Sequence, residues 1–186
     1  MRMSIALEMC GVAKRYTAGA GGCVASANVL RSIDLMVCAG DATAVVGPPG
    51  SGKSTLLLAA AGLLVPDAGE IRWFGDRSRA AAVRHALYYV AGAGQATPRA
   101  LSTIRMHLID DPDALGAASV ARLAGWIARR CARNESVLVA TRNRLTAQML
   151  ASRIVTLDGG RLHATVVPAP RVAERRRDSV VRSAGD

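Results

Sequence analysis

Apolar and polar residues alternate along this chain with two different periods, and the switches between them lay out the elements. Residues 3–10 keep the two-residue rhythm of a strand, and a Gly-rich loop follows at 18–22. The stretch 33–38, IDLMVC, predicts another strand and Gly40-Asp41 a turn. Residues 42–46, ATAVV, predict a short buried strand that ends at Gly47. From Lys53 the run STLLLAAAGLL predicts a helix that continues to Pro66, where the missing N–H stops it. Residues 69–74 (GEIRWF) and 87–90 (LYYV) read as strands, and 91–99 as a Gly/Ala/Pro stretch. Residues 104–109, IRMHLI, are strand-like and run into Asp110-Asp111-Pro112. In 117–133 the apolar residues Val120, Leu123, Ile127 and Cys131 recur at helical spacing, with Arg122, Arg129 and Arg133 elsewhere, so this is an amphipathic helix. Residues 136–140 predict a strand, 143–152 a helix, and 154–157 with 162–167 a hairpin around Asp158-Gly159-Gly160. Strands alternate with helices in the middle and antiparallel strands lie at both ends. The pattern is α/β with a mixed sheet.

Composition narrows this picture. At 186 residues the chain suits one domain that buries about 70% of its unfolded surface, with no metal or disulfide required. A hydrophobic share of 51% against 20% charged excludes disorder throughout. The polar stretch 169–186 is the exception and is expected to be a basic disordered tail after a domain spanning 1–168. The four Cys have no metal-ligand spacing and read as reduced thiols. The beginning of the chain has no apolar core of signal-peptide length. The longest apolar run, 56–65, is ten residues, where a membrane span needs about 20. The chain is therefore expected to be soluble and cytoplasmic. A net charge of +10 invites a nucleic-acid reading. However, the Arg residues are scattered, and aromatics at 3% give no stacking platform, so no nucleic-acid partner is expected. Contact with anionic lipid or with an acidic partner fits the charge equally well, and a solvated Arg-rich surface is the favoured reading.

One segment carries chemistry. Gly47-Pro48-Pro49-Gly50-Ser51-Gly52-Lys53-Ser54-Thr55 matches G-x-x-x-x-G-K-[ST] in full, with a strand before it and a helix after it. Glycines let the backbone curl until several N–H groups face one anion, and the helix start adds its positive end. Lys53 would reach the β- and γ-phosphates of a nucleotide, and the Ser54 hydroxyl would ligate Mg²⁺. The complementary acid is expected at a strand end. Asp110 fits as the residue holding Mg²⁺ through water, and Asp111 as the one polarising the attacking water.

These residues, taken in order, resemble the ATP-binding subunit of ABC transporters. The stretch from Leu30 to Gly75 looks like that family's first subdomain, including Gly62-Leu63, Pro66 and Gly69. LIDDP resembles its Walker B strand and catalytic acid, VLVATRN the strand before its switch histidine, and RIVTLDGGRL its closing hairpin. The resemblance covers roughly residues 3–166. It implies a P-loop NTPase-like mixed sheet with flanking helices and an antiparallel β subdomain. It places Tyr16 where the family stacks an aromatic on adenine. It also implies ATP and Mg²⁺ as ligands, a membrane-spanning transporter subunit as partner, a homo- or heterodimer of ATP-binding subunits, and a peripheral position on the inner face of the cell membrane.

The departures are equally specific. Lys53 and Asp110 are only 57 positions apart, so the family's helical subdomain is largely absent, and no LSGGQ-type signature occurs. Gln95, in GAGQ, belongs either to a shortened signature or to a glutamine loop. The catalytic position reads Asp111 where the family usually has Glu, one methylene longer. The switch-histidine position reads Arg142, which cannot accept a hydrogen bond but can bind a γ-phosphate as a cation. Impaired turnover with intact nucleotide binding is the expectation. The alternatives are a nucleotide-binding module without turnover and another small P-loop kinase. A GTPase is disfavoured because its N-K-x-D motif needs a Lys beyond Lys14 and Lys53, and there is none.

Overall fold

The computed structural model describes residues 4–20, 23–91 and 103–165. Gln95 and the 169–186 segment lie outside the described residues. Strand β3 (Ala42–Val46) shows how the central sheet is built. Val45 faces one core, and Ala42 and Ala44 face the other, so this five-residue strand, apolar but for Thr43, is covered on both sides. The same division holds in β7 (Ser136–Thr141), where Leu138 and Ala140 face one side and Val137 and Val139 the other. With β5 (Ala86–Val90), β6 (Met106–Asp110), β8 (Arg153–Asp158) and β9 (Arg161–Thr165) these form a six-stranded sheet, ordered β5-β6-β7-β3-β8-β9. All neighbours are parallel except the hairpin β8–β9.

A second, antiparallel sheet has the order β2-β1-β4, from β1 (Ile5–Ala20), β2 (Cys23–Cys38) and β4 (Ala68–Trp73). Its inner face brings Leu7, Met9, Leu30 and Ile33 onto helix α1 (Lys53–Ala60), whose Leu56 and Leu57 are fully buried. Each such Leu contributes roughly 1.5–3 kcal/mol by burial. On the opposite face of the large sheet, α3 (Ala117–Cys131) buries Val120, Leu123, Trp126 and Ile127, and α4 (Arg144–Leu150) buries Ala147 and Leu150.

Two expectations change. The Gly-rich loop at 18–22 is mostly strand, since β1 extends to Ala20 and β2 begins at Cys23. The helix after Lys53 stops at Ala60 rather than at Pro66. Gly62, at φ 70°, closes it: Gly62 N–H donates to Ala59 O at 3.0 Å and Leu63 N–H to Leu58 O at 3.0 Å. That is the paired bonding by which a left-handed residue ends a helix. The remaining carbonyls find side chains. Trp73 Nε1 donates to Ala60 O at 2.7 Å, and the Arg79 guanidinium donates to Gly62 O at 2.7 and 3.1 Å. Arg79 opens α2 (Arg79–His85), a helix the sequence pattern did not predict. Its Ala82 sits where a Cβ on Gly62 would come within 2.6 Å.

His107, at the centre of β6, is 1% exposed and packs edge-on to Trp126. Its Nε2 lies 2.6 Å from Glu135 Oε2, which with Oε1 also receives Arg130. Its Nδ1 has no hydrogen-bond partner among the described residues. Burial pushes the imidazole pKa below its ordinary value, and the nearby Arg130 charge acts in the same direction. Glu135 opposes them without prevailing. The folded protein therefore binds this proton less readily than the unfolded chain does. Stability linked to His107 is full above the unfolded value of about 6.5 and is lost as pH falls toward the lower folded value. Urea unfolding between pH 7.5 and 5 should show a midpoint that drops below about pH 6.5. His107→Gln should flatten that drop, and an unchanged slope in this variant would contradict the assignment.

Candidate functional site

Because β6, β7 and β3 are adjacent and parallel, their carboxyl ends emerge at one edge of the sheet. Val46 pairs with Thr141 and Asp110 with Ala140, so Gly47, Asp110-Asp111 and Thr141-Arg142 leave the sheet side by side. Backbone bonds fasten these exits. Gly47 N–H donates to Thr141 O at 3.3 Å, and Asp111 N–H to Ala140 O at 3.1 Å. Open α/β sheets bind ligands at such an edge.

The loop from Gly47 to Gly52 wraps back onto the start of α1. A Cβ on Gly47 would lie 2.1 Å from Leu157 O, so this position admits no side chain. Gly52, at φ 102°, caps α1 without a side chain, and a Cβ there would meet Val29 O at 2.7 Å. The first turn of α1 holds no acidic residue, which leaves its N–H groups and its positive end facing the loop. Lys53 Nζ lies inside the loop, donating to Gly47 O at 2.9 Å, Pro48 O at 2.8 Å and Ser51 Oγ at 3.3 Å. Burial lowers its pKa, Arg142 adds to the effect, and Asp110, Asp111 and Asp113 oppose it. Two cavities flank the loop. One, of about 370 Å³, lies between Pro48–Ser51, Asn28 on β2 and the Asp158–Gly160 turn. The other, of about 310 Å³, is lined by Val29, Gly50, Gly52, Lys53, Ser54 and Thr55.

On the acidic side, Asp110 is buried at 6% exposure and accepts a hydrogen bond from Tyr88 Oη at 3.0 Å. Burial, then the Asp110 charge and this bond, push the Tyr88 phenol up to about 12. Asp111 takes a left-handed conformation, φ 50° and ψ 54°, and its Oδ1 lies 3.5 Å from Arg142 Nη2. Asp113, on the short turn Pro112–Ala114, accepts from Thr141 Oγ1 and from Arg142 N–H, each at 2.7 Å. Burial alone would raise its pKa. Hydrogen bonds from Arg142 N–H, Thr141, Thr146 and Asn143 N–H outweigh that and hold the carboxyl below the usual carboxylate value.

Of the residues singled out from sequence, Lys53, Asp110, Asp111 and Arg142 gather within electrostatic reach of one another. Tyr16 pairs with Ala27 across β1–β2, next to the cavity-lining Asn28, but does not itself line either cavity. It is 43% exposed, with Lys14 Nζ 5.9 Å from its ring centre. The sequence does not single out Tyr88 or Asp113 as site residues. Nothing in their spacing marks them, because each reaches its partner only through strand pairing. The donor chemistry fits a Mg-nucleotide: a glycine cradle and helix start for phosphate, with the Ser54 hydroxyl and Asp110 carboxylate as hard oxygen donors. Mg²⁺ is commonly held by one or two carboxylates together with substrate phosphates. Gly47→Ala should cost about 1–3 kcal/mol of stability, the range for overpacking, because Leu157 lies in the β8–β9 pairing, opposite Leu162, and its carbonyl is 2.1 Å from the new Cβ. Urea unfolding reads this directly, and a loss under 0.5 kcal/mol would show that the loop adapts, as ordinary surface positions do.

The sequence model of the family described as ABC transporter matches residues 30–159. An iron(3+) import ATP-binding protein of Serratia marcescens is 49% identical over 65 residues, which are 35% of this chain and 16% of the relative. A lipoprotein-releasing system ATP-binding protein of Roseobacter denitrificans is 42% identical over 73 residues, covering 39% of this chain and 31% of that protein. The chain thus spans between about a sixth and a third of the length of these two relatives. An aliphatic sulfonates import ATP-binding protein of Nocardia farcinica is 30% identical over 201 aligned positions, covering 83% of this chain and 82% of the relative. Among solved structures, an ATP-binding cassette of an ABC transporter in its ADP conformation superposes with a TM-score of 0.68 at 14% identity, over 86% of this chain and 90% of that one. An ATP-binding subunit of an ABC transporter gives 0.66 at 19% identity, over 85% and 89%. These two likenesses establish the fold.

Proposed function

Since this chain belongs to the ABC transporter family of ATP-binding subunits, we propose that it binds Mg-ATP at the Gly47–Thr55 loop and serves a membrane-spanning transporter subunit. The observation that carries this reading is the convergence of the loop, Lys53, Asp110 and Arg142 at one sheet edge. Backbone N–H groups of Pro-flanked Gly50 to Thr55 would hold the phosphates, and Lys53 would exchange its carbonyl partners for phosphate oxygens. Ser54 and Asp110 would hold Mg²⁺, which when bound neutralises phosphate charge. Tyr16 would offer a face to adenine from beside the larger cavity, as its place in the family resemblance implies. Among the described residues no helix is long and apolar enough to cross a membrane. This agrees with a peripheral place on the inner membrane face, beside a spanning partner and, in the working assembly, a second ATP-binding subunit.

Turnover is proposed to be slow. Asp111 is a short side chain for reaching a water, and its carboxylate is engaged by Arg142. Arg142 in turn offers only donors where an acceptor would steady that water. Phosphoryl transfer depends on positioning, so such displacements cost rate more than ground-state binding.

Lys53→Ala should weaken Mg-ATP binding by about 1.5–3 kcal/mol, the worth of hydrogen bonds to charged groups, as measured by isothermal titration. Unchanged affinity would remove the phosphate loop from the binding site. Single-turnover phosphate release at saturating Mg-ATP should fall well below about 1 s⁻¹, the lower end of typical turnover numbers. A rate at or above that value, abolished by Asp111→Asn, would instead make Asp111 an effective catalytic acid.

A further inference from the structure

We infer that Asp113 is a positioning residue for Arg142: it holds the 141–143 turn so that the Arg142 guanidinium stands beside Asp111 and faces the third phosphate of a bound nucleotide. The inference rests on the ATP-binding reading above and assigns the site's ability to tell ATP from ADP to a residue outside the phosphate loop.

The geometry around Asp113 is that of a clamp. Its own turn is fixed by Pro112 and by Leu115 N–H donating to Pro112 O at 3.0 Å. Its Oδ2 takes Arg142 N–H at 2.7 Å, and Thr141 Oγ1 lies 2.7 Å from both carboxylate oxygens. Asn143 N–H donates to Thr141 Oγ1 at 3.1 Å, so the hydroxyl that meets the carboxylate also pins the next residue of the turn. A carboxylate offers an acceptor at each oxygen, whereas an amide accepts at one end only and presents a donor at the other. Thr141 is 1% exposed, and its carbonyl receives the first N–H of the phosphate loop, so the clamp joins the turn after β6, the turn after β7 and Gly47.

The Arg142 side chain needs such support. Its pairing with Asp111 spans 3.5 Å between side chains that are 54% and 45% exposed. An exposed pair of that kind contributes little and does not fix a backbone turn. The main-chain contact from Asp113 does fix it. The position matters because Arg142 is already felt at Lys53, the loop's own cation. A guanidinium held there adds a planar donor set for phosphate oxygens beyond those that Lys53 and the loop reach. A diphosphate would be bound by the loop alone, and a triphosphate by the loop together with Arg142.

The test is the ratio of ATP to ADP affinity, measured by titration calorimetry with Mg²⁺ on the full chain. Arg142→Ala should lower the preference for ATP about tenfold, as loss of a charge-assisted contact does, and leave ADP within about twofold. Asp113→Ala should do the same, and the double variant should lose no more than either single one. Asp113→Asn keeps the shape and one acceptor, so it should fall between wild type and Asp113→Ala. It also serves if the alanine variant fails to fold, as judged by urea unfolding. Equal weakening of ATP and ADP in the Asp113 variants would reveal a merely structural role and overturn the inference. So would a wild-type ratio in Asp113→Asn, an unchanged ratio in Arg142→Ala, or additive losses in the double variant. Failure of the nucleotide reading itself looks different, because neither ATP nor ADP would then respond to Lys53→Ala.

Discussion

The parallel pairing of β6, β7 and β3 is the constraint on which the site depends. Each strand is short and buried on both faces, so its register is set by which side chains enter which core. A slip of one residue would exchange Leu138 and Ala140 for Val137 and Val139, placing the wrong volumes against α1 and α3. With the register fixed, the positions just past the strands are fixed as well. A cradle, an acid pair and a cation converge without any long-range loop having to find them.

Close contact between the two sheets completes the cradle. Arg31 N–H donates to Gly160 O at 2.8 Å, and the Val29 carbonyl lies where side chains on Gly52 and Gly160 would otherwise project. The hairpin β1–β2 therefore acts as a wall for the phosphate loop as well as a cover for the core. Its reach matters for the same reason. The strands extend past the part of β1 that β4 covers, from Leu7 to Ala13, and carry Tyr16 toward the loop side.

Charge at the edge is balanced locally. Lys53 and Arg142 face Asp110, Asp111 and Asp113, and each carboxylate has a distinct partner: Tyr88, Arg142 and the 141–143 turn. Burial differs among them in the same order of restraint. Asp110 is enclosed, Asp113 is half-buried and clamped, and Asp111 remains half in solvent at the tip of a left-handed turn.

Much of this was legible in the sequence. The strand at 42–46 matches residue for residue, because an apolar run bounded by Gly40-Asp41 and Gly47 leaves little choice. The amphipathic α3 and the terminal hairpin β8–β9 follow directly from their periods, and the tight turn from Gly47 to Gly52 follows from its glycines. The end of α1 is not legible in the pattern, since Leu63 and Leu64 continue the apolar run while Gly62 has already turned the chain. Helix α2 has no such signature, because RAAAVRH carries too few large apolar side chains for a clear face. It is held by Arg79 on the end of α1 and by Ala82 against Gly62. Tyr88 on Asp110 and Asp113 on Arg142 bridge 22 and 29 positions of chain, and only the strand order brings them together. Local pattern determines which residues become strand, helix or cradle, since those choices depend on neighbours three or four positions away. Which carboxylate meets which donor was decided by the tertiary structure alone, because hydrogen bonds act over about 3 Å and sequence spacing does not encode that distance.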